Sequence, residues 1–469
     1  MRRSTLVIAL FLATAGLSAQ HREGRYRLHL DQPRQTIWGL GVEIQSDSIG
    51  SANLGLPDKV VAVPHDLTRM ERRRFYTDML RGFRYCRLAL GLYLRGLDTE
   101  KKHIIERYPG QMRDLKEMMD QSGMESVAAE YWSPAPYWKS NGRYRGGTLR
   151  SFDPEFLDEL GDALVADLRY LEGHGLEVSM WSLQNEPPVN HDKYSTAEYS
   201  GDQYYRTMKA VAPKIRAAFP KVLIHADSHS GQHSDGGKRI RQDPDLLRLV
   251  DAWTWHRIGR DSNELIDKAE WFSREAEGKP VFNNEFEYLQ GPASDRRFVN
   301  TAQSLMNWLV FQSSPTWFWL HALKPTYNAE ASGYALGFWR PADDQDFSRW
   351  PDLKPGHWTY NTQNWHSLAG FLKYLPWDSV RLHVEEERVR QDNRILAWRT
   401  PTGRVALALT NRSGGPFRFH IDLGRDLNLS GFRYTPSEAH VALGMRSGAT
   451  LAAEMPDLAI EFWVEAPNP

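Results

Sequence analysis

Cysteine is almost absent from this chain. Of 469 residues only Cys86 is one, so no intramolecular disulfide is available and stability has to come from the size of the core. Cys86 lies in the apolar run RYCRLAL, the setting of a buried, unreactive thiol. Net charge is also missing: 58 Lys and Arg stand against 59 Asp and Glu, a formal balance of −1, with pI near 7.0. General attraction to nucleic acid or to an anionic surface is therefore not encoded. Long apolar runs are confined to the first residues, where Arg2 and Arg3, an apolar stretch from Leu6 to about Leu17, and the small residues Ser18 and Ala19 follow one another. That order is a secretory signal peptide, short for a membrane span, and residues 1–19 are read as one. The expectation is a secreted or periplasmic protein with no membrane span after cleavage. Two nucleophile and nucleotide signatures are missing as well. No Gly-rich phosphate loop follows the first apolar strand, and Ser133, Ser228 and Ser230 lack a Gly-x-Ser-x-Gly setting, which speaks against a doubly wound nucleotide-binding sheet and against a serine hydrolase.

What the chain does contain is an alternation of short apolar strands and amphipathic helices. Strand-like runs occupy 37–43, 84–90, 126–132, 178–184, 221–226, 252–256, 280–285 and 316–320. Helical spacing is clearest over 153–171, where Asp153 can cap, Pro154 suits the first turn, and Leu157, Leu160, Leu164, Leu168 and Leu171 share a face. Further helices are expected at 111–122, 202–218, 261–277, 296–312 and 361–374. Eight alternations predict an α/β fold, a (β/α)8 TIM-type barrel over 37–377. From about Asp378 the helical period disappears, and LHVEEERV, RILAWRTP, GRVALALTN, FRFHIDL and LAIEFWVE are β-rich segments separated by turn signals. They predict an appended antiparallel β-sandwich over 378–469, joined by a strand from 20–36, where RYRLHLDQ alternates. Long polar loops follow the third, fifth and eighth strands, at 133–150, 227–243 and 321–358.

Barrels of this kind place chemistry at the C-terminal ends of their strands. There the run VSMWSLQ ends in Asn185-Glu186-Pro187-Pro188, and VFNNEF carries Glu285. Two carboxylates at the ends of different strands are what glycoside hydrolysis needs, one to protonate the leaving oxygen and one to attack or to activate water. Glu287 follows two residues after Glu285 and competes for its role; Glu285 is preferred because it closes the apolar run. The remaining clusters read as structural. His225, His229 and His233 with Asp227 resemble a metal site in spacing, but Ser- and Gly-rich surroundings favour a solvated loop. Lys139, Arg143, Arg145 and Arg150 give the third loop a basic character for which solvation is the simplest reason. No metal or cofactor is expected.

The strings QTIWGLGVEIQSDS at 35–48, YCRLALG at 85–91, YWSPAPYWKSNGRYRGGTLR at 131–150, WSLQNEPP at 181–188 and VFNNEFEY at 281–288 resemble glycoside hydrolase family 30. The Trp-Ser-Pro string with Lys-Ser-Asn-Gly is the most family-specific of them. The resemblance implies a retaining β-glycosidase acting on an oligo- or polysaccharide, with Glu285 as nucleophile and Glu186 as acid/base about 5 to 5.5 Å apart. It further implies Arg87 holding the nucleophile ionised, Asn185 contacting the sugar, and Trp132, His256 and Trp319 at strand ends lining the pocket. Barrel packing is the competing role for each of the last three. The chain departs from the family in the first strand, where Val-Glu-Ile-Gln stands in place of a small residue, Phe and Thr. Glu43, Gln45 and Asp47 therefore leave the sugar unspecified, as does the polar pair Asn283-Asn284. Rival readings are a barrel that only binds carbohydrate, or a same-clan xylanase, galactanase, xylosidase or glucosidase.

Overall fold

The computed structural model describes residues 22–44, 66–92, 102–104, 106, 108–192, 194–229, 235–256, 262–268, 274–286, 295–326, 335–344 and 350–467. The signal-peptide expectation, Glu287, Gln45, Asp47, Ser230, His233 and the side chain of His229 lie outside them. In chain order, β1 is Arg22–Ile37, followed by β2 (Gly39–Glu43), β3 (Phe83–Leu90), β4 (Ser126–Tyr131), β5 (Val178–Ser182), β6 (Leu223–His229), β7 (Ala252–Trp255), β8 (Val281–Phe286) and β9 (Thr316–Trp319). Strands β2 to β9 form a closed barrel, neighbour by neighbour in chain order, with β9 pairing back onto β2 in parallel.

Side chains that point into the barrel stack in layers. The lowest layer is apolar, made of Tyr85, Ala128, Met180, Ala252, Phe282 and Phe318. Gly41 belongs to it without a side chain, because the Phe318 ring fills that space: a Cβ at Gly41 would sit 2.0 Å from Phe318 Cδ1. Outside, helices cover the strands. Helix Pro154–Gly173 buries Leu157, Leu160, Leu164, Leu168 and Leu171 on one face, as its spacing predicts. Asp153 makes no capping bond there; its carboxylate accepts from Ser151 Oγ at 2.7 Å instead. Helix Gly201–Ala218 begins with a reciprocal capping box between Ser200 and Gln203. The stretch after the fifth strand is not all loop, since Asp235–Arg241 and Pro244–Leu249 are helical. Before β3, helix Arg69–Arg74 runs into a π-helical turn at Phe75–Met79. Among the described residues no helix is long and apolar enough to cross a membrane.

A small sheet of β10 (Leu323–Pro325), β11 (Gly337–Trp339) and β12 (Trp358–Tyr360) follows, then helix Thr362–Tyr374. The remaining strands are β13 (Ser379–Glu386), β14 (Asn393–Arg399), β15 (Val405–Asn411), β16 (Phe417–Tyr434), β17 (Val441–Met455) and β18 (Ala459–Glu465). They form one sheet in the order β1-β13-β14-β15-β18-β16-β17. It is antiparallel except where β1 also pairs in parallel with β16, a contact that folds the sheet back on itself. Tyr26, Leu28, Leu407, Phe419, Ile421 and Trp463 are among the residues of the apolar core this encloses. The sheet is tied to the barrel by Phe371 against Phe462, edge to face at 5.0 Å, and by Trp398 Nε1 donating to Tyr374 O at 2.9 Å.

The close approach at Gly41 yields a stability prediction. Gly41→Ala should overpack the barrel floor and cost about 1–3 kcal/mol in urea denaturation. Gly173→Ala, at a helical site with nothing within 4 Å, should cost nothing.

Candidate active site

Above the apolar floor the barrel interior turns polar, and its centre is the guanidinium of Arg87, 1% exposed. Arg87 lies on β3 between neighbours on both sides: Nη1 donates to Glu43 of β2, and Nε and Nη2 donate to Glu130 of β4. Nη1 also reaches Glu285 Oε2 of β8 at 2.9 Å, and Nη2 reaches Asn185 Oδ1 at 2.6 Å. The cation stands 5.8 Å from the Trp132 ring. Three buried carboxyl groups thus share one fixed positive charge, which offsets part of the cost of their burial. Burial pushes the Glu130 carboxyl up, but Arg87 above all, with His225, His256 and Ser228, brings it down to about 2. Asn284 Nδ2 adds a hydrogen bond to Glu130 Oε2 at 3.0 Å.

Glu186 follows β5 in a turn held by backbone bonds. Asn185 N donates to Tyr131 O at 2.6 Å, Glu186 N to Ser228 O at 2.6 Å, and Tyr199 N to Pro187 O at 2.7 Å. Glu186 itself has φ +45°, a left-handed conformation that costs a non-glycine residue energy and is kept here by those three bonds. Its Oε1 lies 3.1 Å from His256 Nδ1, and His256 Nε2 lies 3.0 Å from Ser228 Oγ. Glu285 reaches the same place by another device. Strict alternation sends Phe282 and Asn284 inward and Glu285 outward, but the β8–β9 register shifts between Asn283 and Phe286. A bulge re-aims the side chain, and Asn283 Oδ1 accepts from Glu285 N at 3.1 Å within it. Glu186, His256 and Glu285 each then offer an atom within 4.8 Å of the others.

Electrostatics couples this trio. Burial raises the Glu285 pKa; His256 and Arg87 oppose the rise, while Glu186 and Glu130 add to it. Burial disfavours the His256 imidazolium, yet Glu285 and Glu186 outweigh it and raise its pKa. Tyr194, whose ring lies 5.2 Å from that of Trp132, has its phenol raised by burial first and then by the charges of Glu186 and Glu285. The three donors have a spacing that a metal ion could use, but Glu285 Oε2 is the oxygen already bound to Arg87. A cation placed there would face a guanidinium less than 3 Å from its own ligand, so the set fits proton chemistry better than metal binding.

Of the residues expected from sequence, Glu186, Glu285, Arg87, Asn185, Trp132 and His256 converge on this cluster. Trp319 does not join them: it sits in the layer between strands and helices, 5.7 Å from Phe286 and 6.2 Å from Trp317, and donates Nε1 to His321 O. Phe318 and Leu320, its neighbours, are the ones that turn inward, Leu320 packing with Trp132. His225 is no part of a solvated loop. It is buried on β6 with Nδ1 2.5 Å from Thr254 Oγ1, and burial lowers its pKa to about 4. Lys139 is not a solvated loop cation either, because its Nζ is buried and donates to Thr196 O at 2.6 Å and Ser133 Oγ at 3.1 Å. Burial brings that amine down to about 7. The reading from sequence missed Glu130 and Tyr194, took Ser228 only as a serine outside a hydrolase motif, and took Glu43 and Asn284 only as departures from the family pattern. A charge inside a strand buried on both faces is the signal that marks Glu43, Arg87 and Glu130 as a set.

No protein-family model matches the chain, and no curated protein matches it in sequence. The fold does have solved counterparts. A conserved exported protein from Bacteroides fragilis aligns with TM-score 0.74 and 11% identity over 94% of this chain and 99% of its own. The catalytic domain of the family 30 xylanase C from Talaromyces cellulolyticus gives 0.68 and 13% over 94% and 100%. The family 30 subfamily 8 xylanase from Clostridium acetobutylicum gives 0.67 and 15% over the same shares, 94% and 100%. The chain therefore has the barrel-plus-sheet fold of family 30 glycoside hydrolase structures.

The coupled carboxyls make a stability prediction with a definite sign. Because Glu285 is raised in the fold, the folded protein holds a proton that the unfolded chain releases near the ordinary carboxylate range, so stability falls as pH rises above that range. Glu285→Gln should therefore be more stable than wild type at pH 8, by roughly 1–3 kcal/mol, with a smaller gain at pH 5. Urea denaturation at both pH values checks it; a variant less stable at pH 8 would contradict the assigned direction. Glu130 has the opposite sign, contributing stability above the usual carboxylate range that is lost as pH falls toward about 2.

Proposed function

We propose that this chain is an exported retaining β-glycosidase that hydrolyses O-glycosidic bonds of an oligo- or polysaccharide. The barrel of residues 37–377 would carry the catalytic groups, with 20–36 and 378–469 forming the accessory sheet. The observation that carries the reading is the spacing of the two carboxylates, whose facing oxygens lie within 4.8 Å. Inverting enzymes hold theirs about 6.5–9.5 Å apart to admit a water, whereas retaining enzymes hold them near 5–5.5 Å. Names of proteins with the same fold support the substrate class, since they include xylanases and an endo-β1,6-glucanase.

In this mechanism Glu186 gives its proton to the leaving glycosidic oxygen while Glu285 attacks the anomeric carbon, forming a glycosyl ester and breaking the glycosidic bond. Esterification removes the charge of Glu285, and Glu186 then takes a proton from the water that attacks the same carbon and frees Glu285. Arg87 favours Glu285 as the ionised partner, being 2.9 Å from it. The Asn185 amide is oriented by the same cation: a guanidinium only donates, so Asn185 Oδ1 must face Arg87, and Nδ2 is left to donate to a sugar hydroxyl. Trp132, its ring 5.8 Å from the Arg87 guanidinium, and Tyr194 next to it would supply aromatic surface for a sugar.

The test uses aryl β-glucosides and β-xylosides together with xylan and β-1,6-glucan. Glu285→Gln should fall to background on every substrate. Glu186→Gln should lose about 10²–10⁴-fold on natural substrates. With activated aryl glycosides that variant should recover on addition of azide and release a β-glycosyl azide. Full activity in Glu285→Gln would refute the assignment, and inverted product stereochemistry in wild type would refute the retaining mechanism.

A further inference from the structure

A second cleft lies at the opposite end of the barrel from Glu186. Helix Asp295–Phe311 leaves the top of β8 and returns to the bottom, where its last residues, Val310 and Phe311, meet β13 and β14 of the accessory sheet. The space between them is about 460 Å³. Arg381 and Arg34 both line it, one from β13 and one from the end of β1.

Arg381 differs in its partners from four of the other buried arginines. Arg87, Arg340, Arg394 and Arg412 each have a carboxylate partner: Glu285 at 2.9 Å, Asp344 at 3.2 Å, Glu386 at 2.7 Å and Asp392 at 3.4 Å respectively. Arg381 is 7% exposed, yet its Nε donates only to the neutral Gln35 Oε1, at 2.8 Å, and no carboxylate among the described residues lies within ion-pair distance. Arg34 has no hydrogen bond or ion pair among the described residues. The acids at the same cleft are already engaged, Glu386 by Arg394 at 2.7 and 2.8 Å and Glu385 by His29 at 3.1 Å. No carbonyl at the helix end accepts from Arg381, whose one side-chain hydrogen bond among the described residues is to Gln35. His383, also lining the cleft, is pushed toward its neutral form by burial, then by Arg34, His29 and Arg381. Burial and Arg34 likewise draw Arg381 down to about 10.

A buried guanidinium with no counter-charge is costly, and a planar fork of donors suits an oxyanion. We infer that this cleft binds an oxyanion, a carboxylate, sulfate or phosphate group, between Arg34 and Arg381. An apolar wall of Phe311, Leu382 and Ile395 gives it room for a small acid or for one acidic sugar unit of a longer chain. The site is separate from the carboxylate pair in the barrel mouth.

The experiment is calorimetric titration of the full mature chain at constant ionic strength, with sulfate, phosphate, glucuronate, chloride and neutral glucose. Wild type should bind at least one of the three oxyanions and neither chloride nor glucose. Arg34→Ala, at an exposed position that leaves the fold intact, should bind at least tenfold more weakly while turning over substrate like wild type. Arg381→Gln should not bind. Glucuronate binding tenfold tighter than sulfate or phosphate would identify an acidic-sugar site, and the reverse order an inorganic-anion site. Absence of oxyanion binding in wild type, or Arg34→Ala binding as wild type does, would overturn the inference.

Discussion

One guanidinium organises the upper half of this barrel. Arg87 is the fixed cation among Glu43, Glu130 and Glu285, and the burial of these groups depends on it. The consequence spreads in two directions. Downward, the ionic layer has to rest on a floor that excludes water, which Tyr85, Phe282 and Phe318 supply by filling even the space at Gly41. Upward, the guanidinium sets the orientation of Asn185 and anchors Glu285, so the geometry of the mouth is inherited from a charge beneath it.

The two carboxylates reach that mouth through local departures from regular structure. Glu186 sits in a left-handed conformation after β5, and Glu285 sits in a bulge of β8. A regular strand would deliver neither, because strict alternation turns Glu285 toward the helices. Each irregularity is secured by hydrogen bonds from a neighbouring strand or from its own: Ser228 O on β6 for Glu186, and Asn283 Oδ1 for Glu285. Ser228 also meets His256 and Asn284, so β6, β7 and β8 are locked together at the height where the carboxylates face each other.

Much of this was legible in the chain because the barrel strands are short apolar runs that stop at polar residues. VSMWSL running into Gln-Asn-Glu and VFNNE ending at Glu285 announce both their type and their chemistry. The accessory sheet was legible only in part. The second half of β16, LNLSGFRY, is interrupted by a glycine, and β17, VALGMRSGATLAAEM, is an edge strand that buries little, so hydrophobic alternation is weak along β17. The helix Asp235–Arg241, DGGKRIR, hides for a similar reason: two of its three buried residues are glycines. Trp319 shows the opposite failure. A tryptophan at a strand end looks like a sugar platform, but parity along β9 gives the inward positions to Phe318 and Leu320.

Glu43 and Glu130 contact neither partner of the carboxylate pair directly in the bonds that define the cluster, yet they bear on its chemistry. If Arg87 served Glu285 alone, a full positive charge at 2.9 Å would hold Glu285 ionised and draw protons away from Glu186 and His256. Glu43 and Glu130 take up that charge from the other side of the guanidinium, and Glu130 keeps its own ionisation at the bottom of the carboxylate range. The surplus of negative charge is then left beside Glu285 and His256, and both are raised, Glu285 by burial first and His256 by the two carboxylates against burial. A proton retained in a dry site, next to a carboxylate that Arg87 still prefers ionised, is the state from which general-acid catalysis has to start. The charges that look redundant in the barrel interior are the ones that keep it there.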